Sequence, residues 1–162
     1  MRGIEDSSMY LSALVVHNIL RWVVLALALY AIVRAAAGLV GRRAWLPQDA
    51  AAGRWFTMSM DVQLVIGLLL YGVLSPITRN AFADMGAAMK EAATRFWAVE
   101  HLVMMLVALG FTHVGRARSR KAATDAGRHR AALVFFGLAL VALLAGIPWP
   151  GMADGRPLFR FW

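Results

Sequence analysis

Four long apolar runs constrain this chain more than any other feature of its sequence. They are Met9 to Gly41, Met58 to Leu74, Phe96 to Gly115 and Ala131 to Trp149. Each is close to the roughly 20 residues that an α-helix needs to cross a bilayer core of about 30 Å. Because 60% of the residues are hydrophobic and only 16% are charged, the sequence predicts an all-α integral membrane four-helix bundle. We expect a single transmembrane domain, with spans at roughly 11–38, 58–74, 96–115 and 131–149.

The basic residues predict how the bundle is oriented. Ten of them lie in or beside the first and third connections between the runs: Arg34, Arg42, Arg43, Arg54, Arg116, Arg118, Arg120, Lys121, Arg128 and Arg130. If every run spans the bilayer, these ten share one side, which the positive-inside rule makes cytoplasmic. The prediction is a multi-pass protein of the bacterial inner membrane with both termini periplasmic. Topology therefore accounts for the net charge of +8, and we expect no nucleic-acid partner.

The absence of cysteine limits the chemistry. With no cysteine in the sequence, disulfides, thioether-linked haem, iron–sulfur clusters and thiolate metal sites are excluded. No nucleophilic triad or phosphate-binding loop is recognisable either.

Two histidines near the outer ends of apolar runs form the first candidate site. His17 lies in the first run and His101 in the third. An ionisable side chain inside a membrane helix is costly and points to a site. Alternate spans run in the same direction, so the two imidazoles are predicted at similar depth, facing each other across the bundle. Two neutral imidazoles on facing helices are suitable axial ligands for a b-type haem, and Arg21 or Arg95 would neutralise its propionates. Taken alone, His17 and Arg21 are equally well explained as the hydrated outer turn of a long helix.

A second pair is predicted in the inner half of the bundle. Asp61 lies near the start of the second run and His113 near the end of the third. His113 is about 18 Å along the helix from His101, so the two histidines serve different sites. A carboxylate is a poor substitute for an imidazole ligand, so we do not expect a second haem and interpret the pair as a degenerate second site. The alternative for Asp61 is a simple interaction with the helix dipole.

We make further predictions for three segments outside the predicted spans. His129 lies among arginines in the third connection, and we expect it to be solvated. The apolar spacing between Ile77 and Arg95 predicts a short amphipathic surface helix, and Pro47 is a candidate start for a short interfacial helix. The tail ADGRPLFRFW is expected to lie against the outer surface or a neighbouring subunit.

Four short motifs together resemble a known family. HNILRW, DVQLVIGLLLYG, RFWAVEHLVMM and AGIPWP are similar to motifs of small bacterial four-helix membrane proteins labelled cytochrome b-like. That resemblance covers nearly the whole chain and implies the pattern of di-haem transmembrane b-type cytochromes. It matches His17, Arg21 and His101 to family motifs. Asp61 departs from the family, in which the second helix commonly begins with a histidine.

These observations lead to one main hypothesis. The chain is expected to be a membrane electron-transfer protein with one haem b between helices one and three, near the periplasmic side. It would be an electron carrier or a subunit rather than a stand-alone enzyme. Its partners would be the lipid bilayer and either a quinol or a periplasmic redox protein.

Two alternatives remain open from the sequence. The first is a non-catalytic subunit without cofactor that packs against a larger respiratory or photosynthetic complex, with its small residues and aromatic tail in helix contacts. The second is a copper or proton pathway. In that case His17, His101 and either Met104 or Met105 would hold Cu(I), which imidazole and thioether ligands suit.

Overall fold

The computed structural model describes residues 2–152 and 154–159, with side chains described from Ser8 onward except at residue 153. These residues form α-helices and two π-helical turns, and they contain no strand. In chain order the elements are α1 (Arg2–Val40), α2 (Pro47–Leu69), a π turn (Leu70–Leu74), α3 (Pro76–Ala83), α4 (Met85–Ala88), α5 (Ala92–Arg95), a second π turn (Phe96–Glu100), α6 (His101–Lys121) and α7 (Asp125–Gly146).

Within the described residues, four helical stretches are long and apolar enough to cross a membrane. They are Ser8–Val40, Pro47–Leu74, Ala92–Lys121 and Asp125–Gly146. This confirms the all-α prediction and the number of membrane-length helices. The protein is therefore of the multi-pass membrane type. Apolar side chains such as Val65 and Val141, which are 67% and 65% exposed, lie on the outside of the bundle, where lipid would contact them.

The second long helix begins much earlier than its apolar run. Pro47 occupies the first helical position, where its missing N–H costs nothing, and the Asp49 carboxylate accepts a hydrogen bond of 2.9 Å from the Leu46 amide. Asp49 also binds Arg34 at 2.8 Å and Arg43 at 2.7 Å. The hydrogen bond to Asp49 raises the pKa of Arg43. The helix predicted at Pro47 thus continues into the span.

The last helix also begins early, which makes the expectation for His129 wrong. The Thr124 hydroxyl accepts from the Gly127 amide at 3.0 Å, so α7 starts at Asp125 and carries His129 into the bundle. The His129 side chain is 0% exposed, with its ring centroid 4.8 Å from that of Trp45. It occupies the space in which a Cβ on Gly38 would lie. Neither ring nitrogen has a hydrogen-bond partner among the described residues.

Small residues let the long helices pack closely around an aromatic pair. The rings of Phe56 and Phe136 meet edge to face at 5.5 Å and are almost fully buried. Gly53 and Gly115 face Phe136 so closely that a Cβ on either would come within 2.9 Å of its ring. Buried alanines continue this contact along α1, α2, α6 and α7, as expected for helices that associate in lipid.

The connection between α2 and α6 is three short helices rather than the single predicted one. Asp84 and Glu91 cap α4 and α5 with their carboxylates, and hydrogen bonds to Thr94 lower the pKa of Glu91. The Thr78 hydroxyl donates to the Tyr71 carbonyl at 2.6 Å, and the Tyr71 hydroxyl donates to the Ala98 carbonyl at 2.6 Å. These bonds hold the short helices against both π turns. We call this end of the bundle the α3–α5 end.

Candidate functional site

A cavity of about 150 Å³ lies inside the bundle at the α3–α5 end. All four long helices contribute to its wall, together with residues after α7. Its polar lining residues include His17, Asn18, Arg21, Gln63, Tyr71, His101 and Arg156. His17 and His101, the two histidines of the first candidate site, therefore line the same cavity.

His17 and His101 face each other across this cavity. Their ring centroids are 6.4 Å apart and the ring planes make an angle of 67°. Parallel helices α1 and α6 bring them to the same depth, as their positions in alternate runs predict. The Nδ1 atom of His17 is buried without a hydrogen-bond partner among the described residues.

The His101 ring is held by the end of α7. Its Nδ1 atom lies 2.7 Å from the Gly146 carbonyl oxygen. Since a carbonyl only accepts, Nδ1 carries the hydrogen, and the Nε2 of a neutral ring keeps its lone pair. The rings of Phe96 and Trp97 lie 5.9 and 5.5 Å from His101. Both belong to the π turn that leads into α6, and such turns are frequent at functional sites.

Two residues of α2, Gln63 and Gly67, lie next to His17. The Gln63 amide donates to the His17 carbonyl at 3.1 Å, which ties α1 to α2 at this level. A Cβ on Gly67 would lie only 3.2 Å from the His17 Cε1 atom. Glycine at this position therefore leaves room for the imidazole.

Two arginines line the cavity, and only one of them is a predicted site residue. Arg21 donates to the Leu158 carbonyl at 2.6 Å, which places the segment after α7 across this end of the bundle. Arg156, from the same segment, lies with its guanidinium carbon 5.1 Å from the Trp97 ring centroid. Arg95 pairs with Glu100 at 2.7 Å and is not among the described residues that line the cavity.

Trp22 completes the contact between α1 and the tail. Its indole nitrogen donates to the Leu158 carbonyl at 3.0 Å, and its ring stacks on Phe159 with centroids 5.2 Å apart. The described part of the tail thus lies against its own bundle. Residues 153 and 160–162 of the predicted tail lie outside the described residues.

The structure also brings Asp61 and His113 together, away from the cavity. His113 Nε2 lies 2.8 Å from Asp61 Oδ1, and the two side chains are 52% and 46% exposed. Neither residue is part of the cavity wall. The two histidines of α6 thus belong to separate sites, one enclosed and one at the surface.

Several residues of the cavity were not predicted from the sequence. The Gly146 carbonyl is a backbone group with no side-chain signal, and Arg156 lies beyond the last apolar run. Among these cavity residues, Gln63 was the easiest to recognise from the sequence, because it places a polar amide within a membrane-length apolar run. Within the described ranges, no group of three or more His, Cys, Asp or Glu side chains is arranged to hold a metal ion. No family model, curated protein or solved structure matches the chain.

Proposed function

We propose that this protein is a membrane electron carrier that holds one b-type haem between His17 and His101. The observation that carries the proposal is the pair of half-buried imidazoles of His17 and His101, which face each other in one cavity with ring centroids 6.4 Å apart. Bound haem would accept and release one electron through its iron. The protein's contribution would be to bind, orient and enclose it.

The spacing of the two rings would let both imidazoles hold one metal ion. Bonds from a metal to imidazole nitrogen are about 2.0 Å long, so the centroids of two such rings are expected about 6 Å apart. The observed 6.4 Å agrees with this spacing. The buried Nδ1 of His17 has no hydrogen-bond partner among the described residues, which is unfavourable in a low-dielectric interior. A metal held through this nitrogen would give it one.

The hydrogen bond to Gly146 supports a ligand role for His101. Imidazoles that bind metals usually donate their other N–H to a carbonyl or carboxylate, which fixes the ring and its tautomer. The 2.7 Å contact from His101 Nδ1 to the Gly146 oxygen is such an arrangement. It leaves Nε2 as the atom available to iron.

Arg21 and Arg156 are the cations best placed to receive the haem propionates. Both line the cavity, and a guanidinium binds carboxylates through charge-assisted hydrogen bonds. Arg95 was predicted for this role, but its guanidinium is engaged with Glu100. The tail that carries Arg156 would also exclude water from this end of the site.

The distribution of basic residues predicts the side of the membrane near which the haem would lie. Basic residues concentrate at the end of the bundle opposite the cavity, and the positive-inside rule therefore favours a haem near the periplasmic face of a bacterial inner membrane. One haem near one face does not carry electrons across the bilayer. Its electrons would therefore be exchanged with a quinol or with a periplasmic protein.

The visible spectrum of the purified protein tests the proposal. Protein produced with ample haem and isolated in mild detergent is expected to show a reduced b-type α band. His17→Ala and His101→Ala should each abolish it, because each removes one of the two residues that would hold the haem. His113→Ala is the matched control on the same helix and should retain the full haem content.

Two results would contradict the haem site. A colourless wild-type protein that is folded by circular dichroism would exclude it, and isolation only within a larger assembly would then favour the accessory-subunit alternative. Copper in place of haem, lost in both His17→Ala and His101→Ala by metal analysis, would favour the copper alternative instead.

A further inference from the structure

The tail is joined to α1 through a single backbone oxygen that several donors share. The Leu158 carbonyl accepts from Arg21 Nη2 at 2.6 Å and from Trp22 Nε1 at 3.0 Å. With its amide oriented so that both polar atoms have partners, Asn18 adds a third donor at 3.3 Å. A carbonyl oxygen has only two lone pairs. The cluster therefore supplies more donors than its neutral acceptor can use.

The guanidinium of Arg21 is only partly used by this contact. Its Nε–H and Nη2–H lie along one edge and point in parallel, which is the geometry that binds both oxygens of a carboxylate. The Leu158 oxygen takes Nη2, whereas Nε is buried with no hydrogen-bond partner among the described residues. Nor does any acidic side chain in the described part of the chain form an ion pair with Arg21. A second oxygen and a negative charge would complete the contact.

The end of the described tail is held less firmly than its base. At the base, the Arg156 amide donates to the Pro148 carbonyl at 3.1 Å. At the end, the side chains of Leu158 and Phe159 are 38% and 57% exposed, although the Phe159 ring stacks on α1. This end buries little apolar surface, so a stronger ligand for Arg21 can displace it while the base stays in place.

The donor cluster opens onto an apolar cavity. Asn18 and Arg21 line the cavity of about 150 Å³, and most of its other lining residues are apolar, including Leu14, Leu25 and Leu64. Transfer of an alkyl chain from water into such surroundings is favourable. A ligand that matches both parts has a carboxylate at one end and an apolar body.

We propose that Asn18, Arg21 and Trp22 form a binding site for the carboxylate of an amphipathic organic acid, such as a medium-chain fatty acid. One carboxylate oxygen replaces the Leu158 carbonyl, and the other accepts from Arg21 Nε. The apolar chain lies in the cavity, and residues 157–159 move away from α1. The acid needs no metal and competes with the proposed haem for Arg21, so this proposal and the proposed haem site can fail separately.

Other ligands match the cluster less well. An alcohol or an ester offers a neutral acceptor and no charge, which the Leu158 carbonyl already does. A small inorganic anion would pair with Arg21 but would leave the apolar wall of the cavity without a partner. An organic cation would be repelled by the guanidinium.

Direct binding in detergent tests the proposal. The full chain is produced in haem-deficient cells and dialysed against radiolabelled octanoate in a maltoside detergent, with binding to protein-free micelles subtracted. Methyl octanoate keeps the chain and the carbonyl but has no charge, and acetate keeps the carboxylate without the chain. The wild type is expected to bind octanoate saturably and each of the other two compounds at least tenfold more weakly, because each lacks one half of the recognition.

Three variants examine the donors, and each is first checked for helicity by circular dichroism. Arg21→Lys keeps the charge but removes the parallel N–H groups, and it should weaken octanoate binding about tenfold. Trp22→Phe keeps the ring and removes the indole N–H, and it should weaken binding about fivefold. Arg79→Lys, on α3 and outside the cavity wall, is the matched control and should bind as the wild type does.

Movement of the tail is measured separately with a nitroxide spin label. Leu158→Cys leaves the backbone carbonyl in place and carries the label. Saturating octanoate should narrow its electron paramagnetic resonance lines, because residues 157–159 are released, whereas methyl octanoate should not. A label at Met152→Cys, before the tail, is the control and should be unaffected.

Four results would overturn the proposal. They are no saturable octanoate binding to the wild type, equal binding of octanoate and its methyl ester, undiminished binding to folded Arg21→Lys, and octanoate binding without any change in the label at position 158. A wild type that never contains haem but binds octanoate as expected would refute the haem site alone.

Discussion

Asp49 shows how one residue can fix the end of a membrane helix. Its side chain is almost completely buried, and it accepts from the Leu46 amide and from two arginines of the neighbouring segment. The carboxylate thus caps α2 and fastens α1 to it. A buried carboxylate is stable only with such partners, and removal of one partner leaves the others uncompensated.

We expect Asp49→Ala to destabilise the protein by about 2–3 kcal/mol, because Arg34 and Arg43 lose their shared acceptor. Thermal or denaturant unfolding in detergent, followed by circular dichroism, measures this. Asp125→Ala is the matched control, since its contact with Arg128 is 3.6 Å long and exposed, and its loss should cost less than about 0.5 kcal/mol. Equal stability losses in the two variants would contradict the assigned role of Asp49.

At the scale of the helices, α1 and α7 are in contact through the imidazole of His129, which packs directly against Gly38. His129 fills the space beside Gly38 and packs on Trp45. The sequence predicted the helices and the level of the histidine pair, because apolar runs and alternating direction are enough for both. It did not predict the burial of His129, since the start of α7 depends on the Thr124 cap and not on hydropathy. Nor did it predict the Gly146 carbonyl or Arg156 in the cavity, because those depend on how the chain turns after α7.

The contact between Gly38 and His129 predicts strong coupling between substitutions. Gly38→Ala should destabilise the protein by about 1–3 kcal/mol, because the added Cβ overlaps the ring. In a His129→Ala background the same change should destabilise the protein less, by a difference of about 1 kcal/mol or more, since the ring is gone. Unfolding of the four proteins in detergent gives this cycle.

Gly137→Ala is the control for that cycle, since a Cβ at Gly137 would meet no atom within 4 Å. It should be close to neutral, or slightly stabilising through helix propensity. Strictly additive effects of Gly38→Ala and His129→Ala would show that the ring does not occupy the space beside Gly38.

For the molecule as a whole, the two candidate sites lie at different levels of one bundle. The cavity with His17 and His101 is enclosed near the α3–α5 end, whereas Asp61 and His113 are nearer the basic end and open to lipid. Charge rather than packing decides which of these levels faces the cytoplasm. The orientation of the bundle therefore determines from which side each site is reached.

Single cysteines can test the orientation, because the natural sequence has none. We expect Met152→Cys, at the α3–α5 end, to react with a membrane-impermeant maleimide in intact bacterial cells. Arg120→Cys, at the basic end, should react only after the cells are permeabilised, as the positive-inside rule requires. The unsubstituted protein is the control for background labelling, and the reverse pattern would place the cavity near the cytoplasm.

The two π turns affect how sequence changes at the α3–α5 end reach the bundle. Each turn widens its helix where it leaves the packed region, at Leu70–Leu74 and at Phe96–Glu100. A wide turn holds one more residue than an α-helical turn over a similar length. Insertion or loss of a residue in α3–α5 can then be taken up within these turns, and the rotational phase of His101 relative to His17 is preserved.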